Sequence, residues 1–125
     1  MGAFLTRLDV TLVDDTSNGG RGTWVVASPL TYICTRTSTT YVVPVGFTTD
    51  FATVPRLPIV FSIMGDTAHR AAVLHDWLYT SKVVSREVAD GILFDAMRST
   101  RLSCWKCMVT YMAVRVFGAK HYGQQ

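Results

Sequence analysis

The sequence predicts an α+β fold, an N-terminal antiparallel sheet of about four strands packed against three C-terminal helices. Up to Val45 the apolar and β-branched residues come in short runs separated by turn formers. After about Asp66 the apolar spacing changes to three and four residues, the period of a helix. Between the two regimes lies a stretch with glycine and proline, GFTTDFATVPRLP, over 46–58. The expected plan is one domain over 1–125, with the sheet over about 4–46, a loop over about 46–65 and helices over about 66–118.

Each element follows from its local residues. Leu5, Val10, Leu12 and Val13 lie in a β-prone run that ends in the turn formers DDTSNGGRG. Thr23 to Ala27 and Thr31 to Thr37 read as further strands, split by Ser28-Pro29, and Tyr41 to Val45 as a fourth, with Pro44 at its edge or end. Gly46 to Pro58 reads as an ordered irregular loop, a place where sites are often mounted. Asp66 or Thr67 can cap a first helix running to about Tyr79, in which Ala72, His75 and Tyr79 form a row beside the apolar row Ala71, Leu74 and Leu78. Ser85 caps the second helix, where Glu87 favours the dipole and Asp90 shares a face with Leu93, Phe94 and Met97. Ser103 caps the third, whose stripe of Trp105, Met108, Val109, Met112 and Val116 reads as the back wall of the domain. Gly118 is placed to stop it.

Composition narrows the function classes. Of 125 residues 49% are hydrophobic and 17% charged, which argues for a packed core and an assembled state. The net charge of +3 is spread over scattered arginines, an electrostatic footprint too diffuse for a nucleic-acid reader. No basic segment followed by a long apolar one opens the chain, so no signal peptide is expected. The most apolar run, Met108 to Gly118, is too short to span a bilayer. Three cysteines, two of them in a single CxxC at Cys104 and Cys107, read as reduced residues packing as small hydrophobes.

The chemistry concentrates in LHDWLYTSKVVSREVADGILFDAM. It aims His75, Tyr79 and Asp90 toward a core, where charged groups are costly unless paired or bound to metal. Asp90 on an antiparallel neighbour helix can accept from one ring nitrogen of His75, leaving the other to take a proton from water. Asp76 points about 100° from His75 around the helix, so it can hold a cation beside the base. Asp50 and loop carbonyls would complete an oxygen-rich shell suited to Ca²⁺. Two readings stand: a catalytic or metal site (catalytic His75, Asp90 and Tyr79; metal-binding Asp50 and Asp76), or a buried polar network that fixes helix packing. His69 and His121 read as surface residues, Asp95 as solvated, and Arg86 as a local cap or a partner for Asp90.

His75-Asp76-x-x-Tyr79, Asp90 with Phe94, and Asp50 resemble the active site of secreted phospholipases A₂, particularly the small bacterial ones. There a helix with an HD-x-x-Y pattern runs antiparallel to one with D-x-x-x-F, and the Asp of HD and a preceding loop hold calcium. The chain departs from that family in lacking its disulfides and its glycine-rich calcium loop, and its N-terminal sheet has no counterpart there.

Four motifs carry a wider resemblance. VPVGFTTDFATVP, AAVLHDWLY, SREVADGILFDAM and YMAVRVFG, in that order, resemble the phage-borne domain-of-unknown-function 1353 family, with Thr53 where that pattern usually has Ser. The resemblance implies a tailed-phage protein made in the host cytoplasm and carried in the virion as a tail, neck or tail-tip component. Expected partners are other virion proteins or further copies of itself, burying the edge of the N-terminal sheet or the Trp24–Tyr32 region. The alternative is a metal-dependent phage hydrolase acting on an ester or amide of the host envelope, in lipid or peptidoglycan.

Overall fold

The computed structural model describes residues 2–14, 23–35, 38–49, 69–100 and 103–118. Within them the fold is α+β as expected, antiparallel strands first and three helices after. The strands differ from the expectation in being divided between two sheets of three. One contains β1 (Ala3–Phe4), β4 (Leu30–Cys34) and β5 (Thr39–Val43) in the order β1-β4-β5. The other contains β2 (Val10–Asp14), β3 (Thr23–Val26) and β6 (Thr48–Thr49) in the order β2-β3-β6. The break comes at Ser28-Pro29, where the chain leaves β3 and enters the other sheet as β4. β6 was not expected, since it lies within the stretch read as irregular loop.

The β1-β4-β5 sheet carries the clearest alternation. Leu30, Tyr32 and Cys34 on β4 are buried while Ile33 is exposed. On β5, Tyr41 and Val43 are buried and Val42 is exposed. Register pairs Leu30 with Val43 and Tyr32 with Tyr41, so these side chains share one inner face. The second sheet is tied to the turn after β5: Val26 N–H donates to the Phe47 carbonyl at 2.9 Å, and Gly46 N–H to the Val26 carbonyl at 2.9 Å. Gly46 has φ +90°, which a side chain would strain. This turn delivers β6, pairing Thr49 with Trp24 and burying Thr49.

The helices are α1 (His69–Ser81), α2 (Arg86–Ser99) and α3 (Cys104–Phe117). In α1 the run Ala71 to Asp76 is buried without a break, as are Leu78 and Tyr79, which marks an element covered on every side. It contacts β4, β5 and β6 as well as α2, while α2 also packs on β1 and β4 and against α3. The first helix therefore lies inside, and anything polar on it must find partners within the protein.

Helix ends follow local chemistry with two departures. The Ser85 hydroxyl accepts from Val88 N–H at 3.2 Å, capping α2 as expected. Ser103 takes the N-cap position of α3 but its side chain makes no capping hydrogen bond. Gly118 ends α3 with φ −82°, so it is not a left-handed stop. Its smallness serves close approach instead, because a Cβ there would lie 2.8 Å from the Tyr79 hydroxyl oxygen.

The largest correction concerns α3. Its inward face is made of Cys107, Thr110, Ala113 and Val114, all buried. The stripe read as a back wall turns outward, with Trp105, Met108, Met112 and Val116 exposed and Val109 half-buried at its margin. Periodicity identified a face correctly and assigned it to the wrong side.

Candidate functional site

The site is built on the central helix and closed by the other two. His75 and Tyr79 lie one turn apart on α1 and both point toward Asp90 on α2. His75 Nε2 is 2.7 Å from Asp90 Oδ1, and the Tyr79 hydroxyl donates to the same oxygen at 2.5 Å. The two rings are tilted against each other with centroids 4.2 Å apart. Arg115 on α3 donates from Nη1 to Asp90 Oδ2 at 2.9 Å. One carboxylate thus receives three donors from two neighbouring helices, and His75, Tyr79 and Asp90 are fully buried.

The protonation pattern follows. Burial raises the carboxyl pKa of Asp90, but hydrogen bonds from His75, Tyr79 and Arg115 outweigh it and bring the value below the ordinary one. Burial pushes the His75 imidazole below its usual value against the opposing pull of Asp90. The Tyr79 hydroxyl is raised, first by burial and then by its bond to Asp90, so it stays a donor. The Arg115 pKa is raised by the same carboxylate. An ionised carboxylate only accepts, so a neutral His75 carries its proton on Nε2 and its lone pair on Nδ1. That is the tautomer a general base needs.

Asp76 faces elsewhere, as its offset on the helix requires. It is fully buried and accepts a hydrogen bond from the Thr49 hydroxyl on β6. This contact ties the second sheet to the central helix at the position next to the site. Asp50, the other expected metal ligand, lies outside the described residues, as do Thr53, His121 and the expected caps Asp66 and Thr67. Among the described residues no group of three or more His, Cys, Asp or Glu side chains is placed to hold a metal ion. They supply Asp76, one carboxylate of the six to eight oxygen ligands that calcium takes.

Two arginines were misread or missed. Arg86 does not pair with Asp90. Its Nη2 donates to the carbonyls of Val114 at 3.0 Å and Arg115 at 2.5 Å, fastening the start of α2 to the end of α3. Arg115 stands in the motif YMAVRVFG, and the sequence reading gives it no partner. The signal was there: a guanidinium one turn from the helix end, inside an apolar stretch, needs an acid to meet it.

Residues 24–114 match the family described as "Protein of unknown function (DUF1353)". No curated protein and no solved structure matches the chain. No helix among the described residues is long and apolar enough to cross a membrane.

Removing the carboxylate tests the network. Asp90→Ala leaves a buried imidazole and phenol without their acceptor and a guanidinium without its counter-ion, so unfolding in denaturant should show a loss of about 3–5 kcal/mol. Tyr79→Phe, which removes one donor to a charged group, should cost about 1.5–3 kcal/mol. A loss under 1 kcal/mol for Asp90→Ala would show that the network does not hold the helices.

The pH dependence has a definite sign. His75 binds its proton less readily when folded, so the unfolded chain takes up more protons once pH falls below the ordinary value of 6.5. Stability is complete above that pH and falls as pH drops toward the folded value. His75→Gln retains an N–H donor without titrating, and its melting temperature should vary less over this window. Asp90 contributes in the same direction at lower pH, its stabilisation being lost as pH falls from the ordinary 3.8 through the lowered folded value.

Proposed function

Because the chain belongs to the DUF1353 family of proteins of unknown function, we propose from its site and motifs that it is a tailed-phage, virion-associated protein carrying a hydrolase in which His75 is the general base. The observation that carries the hydrolase reading is the 2.7 Å contact between His75 Nε2 and Asp90 Oδ1. Asp90 is itself held by Tyr79 and Arg115, so it orients the ring and stabilises the imidazolium formed when Nδ1 takes a proton. Water loses that proton to Nδ1 as its oxygen bonds to the carbonyl carbon of an ester or amide. The tetrahedral adduct then re-forms the carbonyl by breaking the bond from that carbon to the leaving oxygen or nitrogen, which takes the proton back from the imidazolium. The shared HD-x-x-Y and Asp90 arrangement with phospholipases A₂ supports an ester or amide of the host envelope as substrate. The virion setting, as a tail, neck or tail-tip component, rests on the four-motif family resemblance. Ca²⁺ belongs to the proposal through Asp76 and Asp50, where it would polarise the carbonyl oxygen.

A second reading has its own observation. His75, Asp76, Tyr79 and Asp90 are all fully buried, which favours a polar lock that sets how the three helices pack. The two readings part on what His75 does beyond holding Asp90.

Purified protein should hydrolyse phospholipid or peptidoglycan, and His75→Gln should keep its fold while losing activity by about 10²–10⁴-fold, the usual contribution of a general base. Wild-type protein that folds yet turns over neither substrate would leave the lock as the role of the site. Mass spectrometry of purified particles should find the chain at a copy number fitting a ring or cap, and its absence would remove the virion from the proposal.

The metal is checked separately. Millimolar Ca²⁺ should raise the melting temperature, increasingly with concentration, and Asp76→Asn should abolish the effect. No shift with Ca²⁺, Mg²⁺, Mn²⁺ or Zn²⁺ would remove the cation.

A further inference from the structure

We infer that the outward face of α3 binds the same face of a second copy of this chain, in an antiparallel pair of helices related by a two-fold axis. Trp105 is 60% exposed, Met108 47%, Met112 53% and Val116 65%. At about 100° per residue these four fall within an arc of about 80°. That is narrower than the apolar face a helix turns to a globular core and matches the seam it turns to another helix. The spacing of three, four and four residues is that of a helix–helix seam.

The order of the side chains selects a second copy. Antiparallel pairing of like helices sets residues opposite each other whose numbers have a nearly constant sum. Met108 then faces the partner's Met112, and Trp105 faces the partner's Val116. The largest side chain meets the smallest and the flexible ones meet each other, so one stripe is complementary to itself, as a two-fold interface requires.

The charges agree with this pairing. No acidic residue lies on α3, and its two cations, Lys106 and Arg115, sit on opposite flanks of the stripe. The two-fold keeps each flank beside its own copy, so Lys106 does not meet Arg115 across the seam. Two copies of either residue would be about 13 Å apart along the axis, beyond the ~8 Å screening length at physiological salt. Arg115 is already engaged by Asp90, and Lys106 lies over the Trp105 ring at 5.8 Å. No unpaired charge is buried by the contact.

The area sets the strength. Four half-exposed large side chains leave on the order of 400–500 Å² of apolar surface, against ~800 Å² per partner in a standard interface. The seam with its rim therefore makes a dimer that dissociates on dilution. This face is a different one from the sheet edge and the Trp24–Tyr32 region expected from the sequence; within that region Tyr32 is fully buried in the sheet.

Analytical ultracentrifugation over micromolar to millimolar concentration, with reductant present because Cys104 is exposed, should show conversion from monomer to twice the monomer mass. Trp105 emission, taken as the difference from Trp105→Phe, should shift to the blue over the same range. Met108→Lys and Met112→Glu should each be monomeric, with unchanged circular dichroism, and mixing them should restore a heterodimer because the introduced charges face each other in this register. A wild type that stays monomeric at every concentration would overturn the inference. So would a blue shift seen only on adding phosphatidylglycerol vesicles, which would assign the face to a lipid surface. Dimerisation unaffected by either charged variant would place the interface elsewhere and overturn it too.

Discussion

The carboxylate of Asp90 is the group on which the helical half depends. It is fully buried, yet held ionised by donors from His75, Tyr79 and Arg115. Moving an isolated carboxylate out of water costs several kcal/mol even after relaxation, and three charge-assisted or short hydrogen bonds offset that cost only while all are in place. Since two donors come from α1 and one from α3, the position of α2 is specified against both neighbours at once. Arg86 adds a second fastening between α2 and α3 through the carbonyls of Val114 and Arg115. An apolar core of the same volume can match the stability; what the carboxylate adds is directional bonds to named atoms on both neighbouring helices.

Orientation for structure and orientation for chemistry are the same geometry here. Asp90 selects the Nε2-protonated form of His75 because an ionised carboxylate can only accept, and burial keeps the ring neutral. Tyr79 and Arg115 stop the carboxylate from rotating away. Gly118 lets the end of α3 approach the Tyr79 hydroxyl without displacing it. On the other side of α1, Thr49 engages Asp76 and ties the β2-β3-β6 sheet to the residue next to His75. The β2-β3-β6 sheet and the other two helices thus converge on one stretch of α1, from His75 to Tyr79.

The sequence made part of this legible for simple physical reasons. His75 and Tyr79 are four residues apart on a helix, and Asp90 lies on an apolar face, so periodicity alone aims all three inward. Asp76 was placed off the dyad by the same rotation. Arg115 was harder, because an arginine in an apolar run reads as a break in the pattern until an acid is known to lie opposite. β6 was hidden because two residues in a stretch rich in Gly and Pro leave no alternation to detect, and pairing with Trp24 is a long-range fact. The direction of α3 was misread for a reason that applies to any amphipathic helix. Large side chains mark a face, but what covers it is decided by shape. The small inward residues Cys107, Thr110, Ala113 and Val114 let α3 come close to α2, and the large ones were left outside.

That division gives α3 two duties that meet near its C-terminal end. Arg115 reaches inward to Asp90, and Val116, the next residue, stands in the outward stripe. A helix is stiff over one turn, so a partner that moves or steadies Val116 acts on the Arg115 guanidinium as well. If self-association holds α3 in the position where Arg115 meets Asp90, the ion pair must favour association by the same free energy, because coupling between two equilibria is reciprocal. The carboxylate network and the exposed stripe are then linked through a single turn of helix. Under that condition, the site's geometry and the assembly state of the chain are set together.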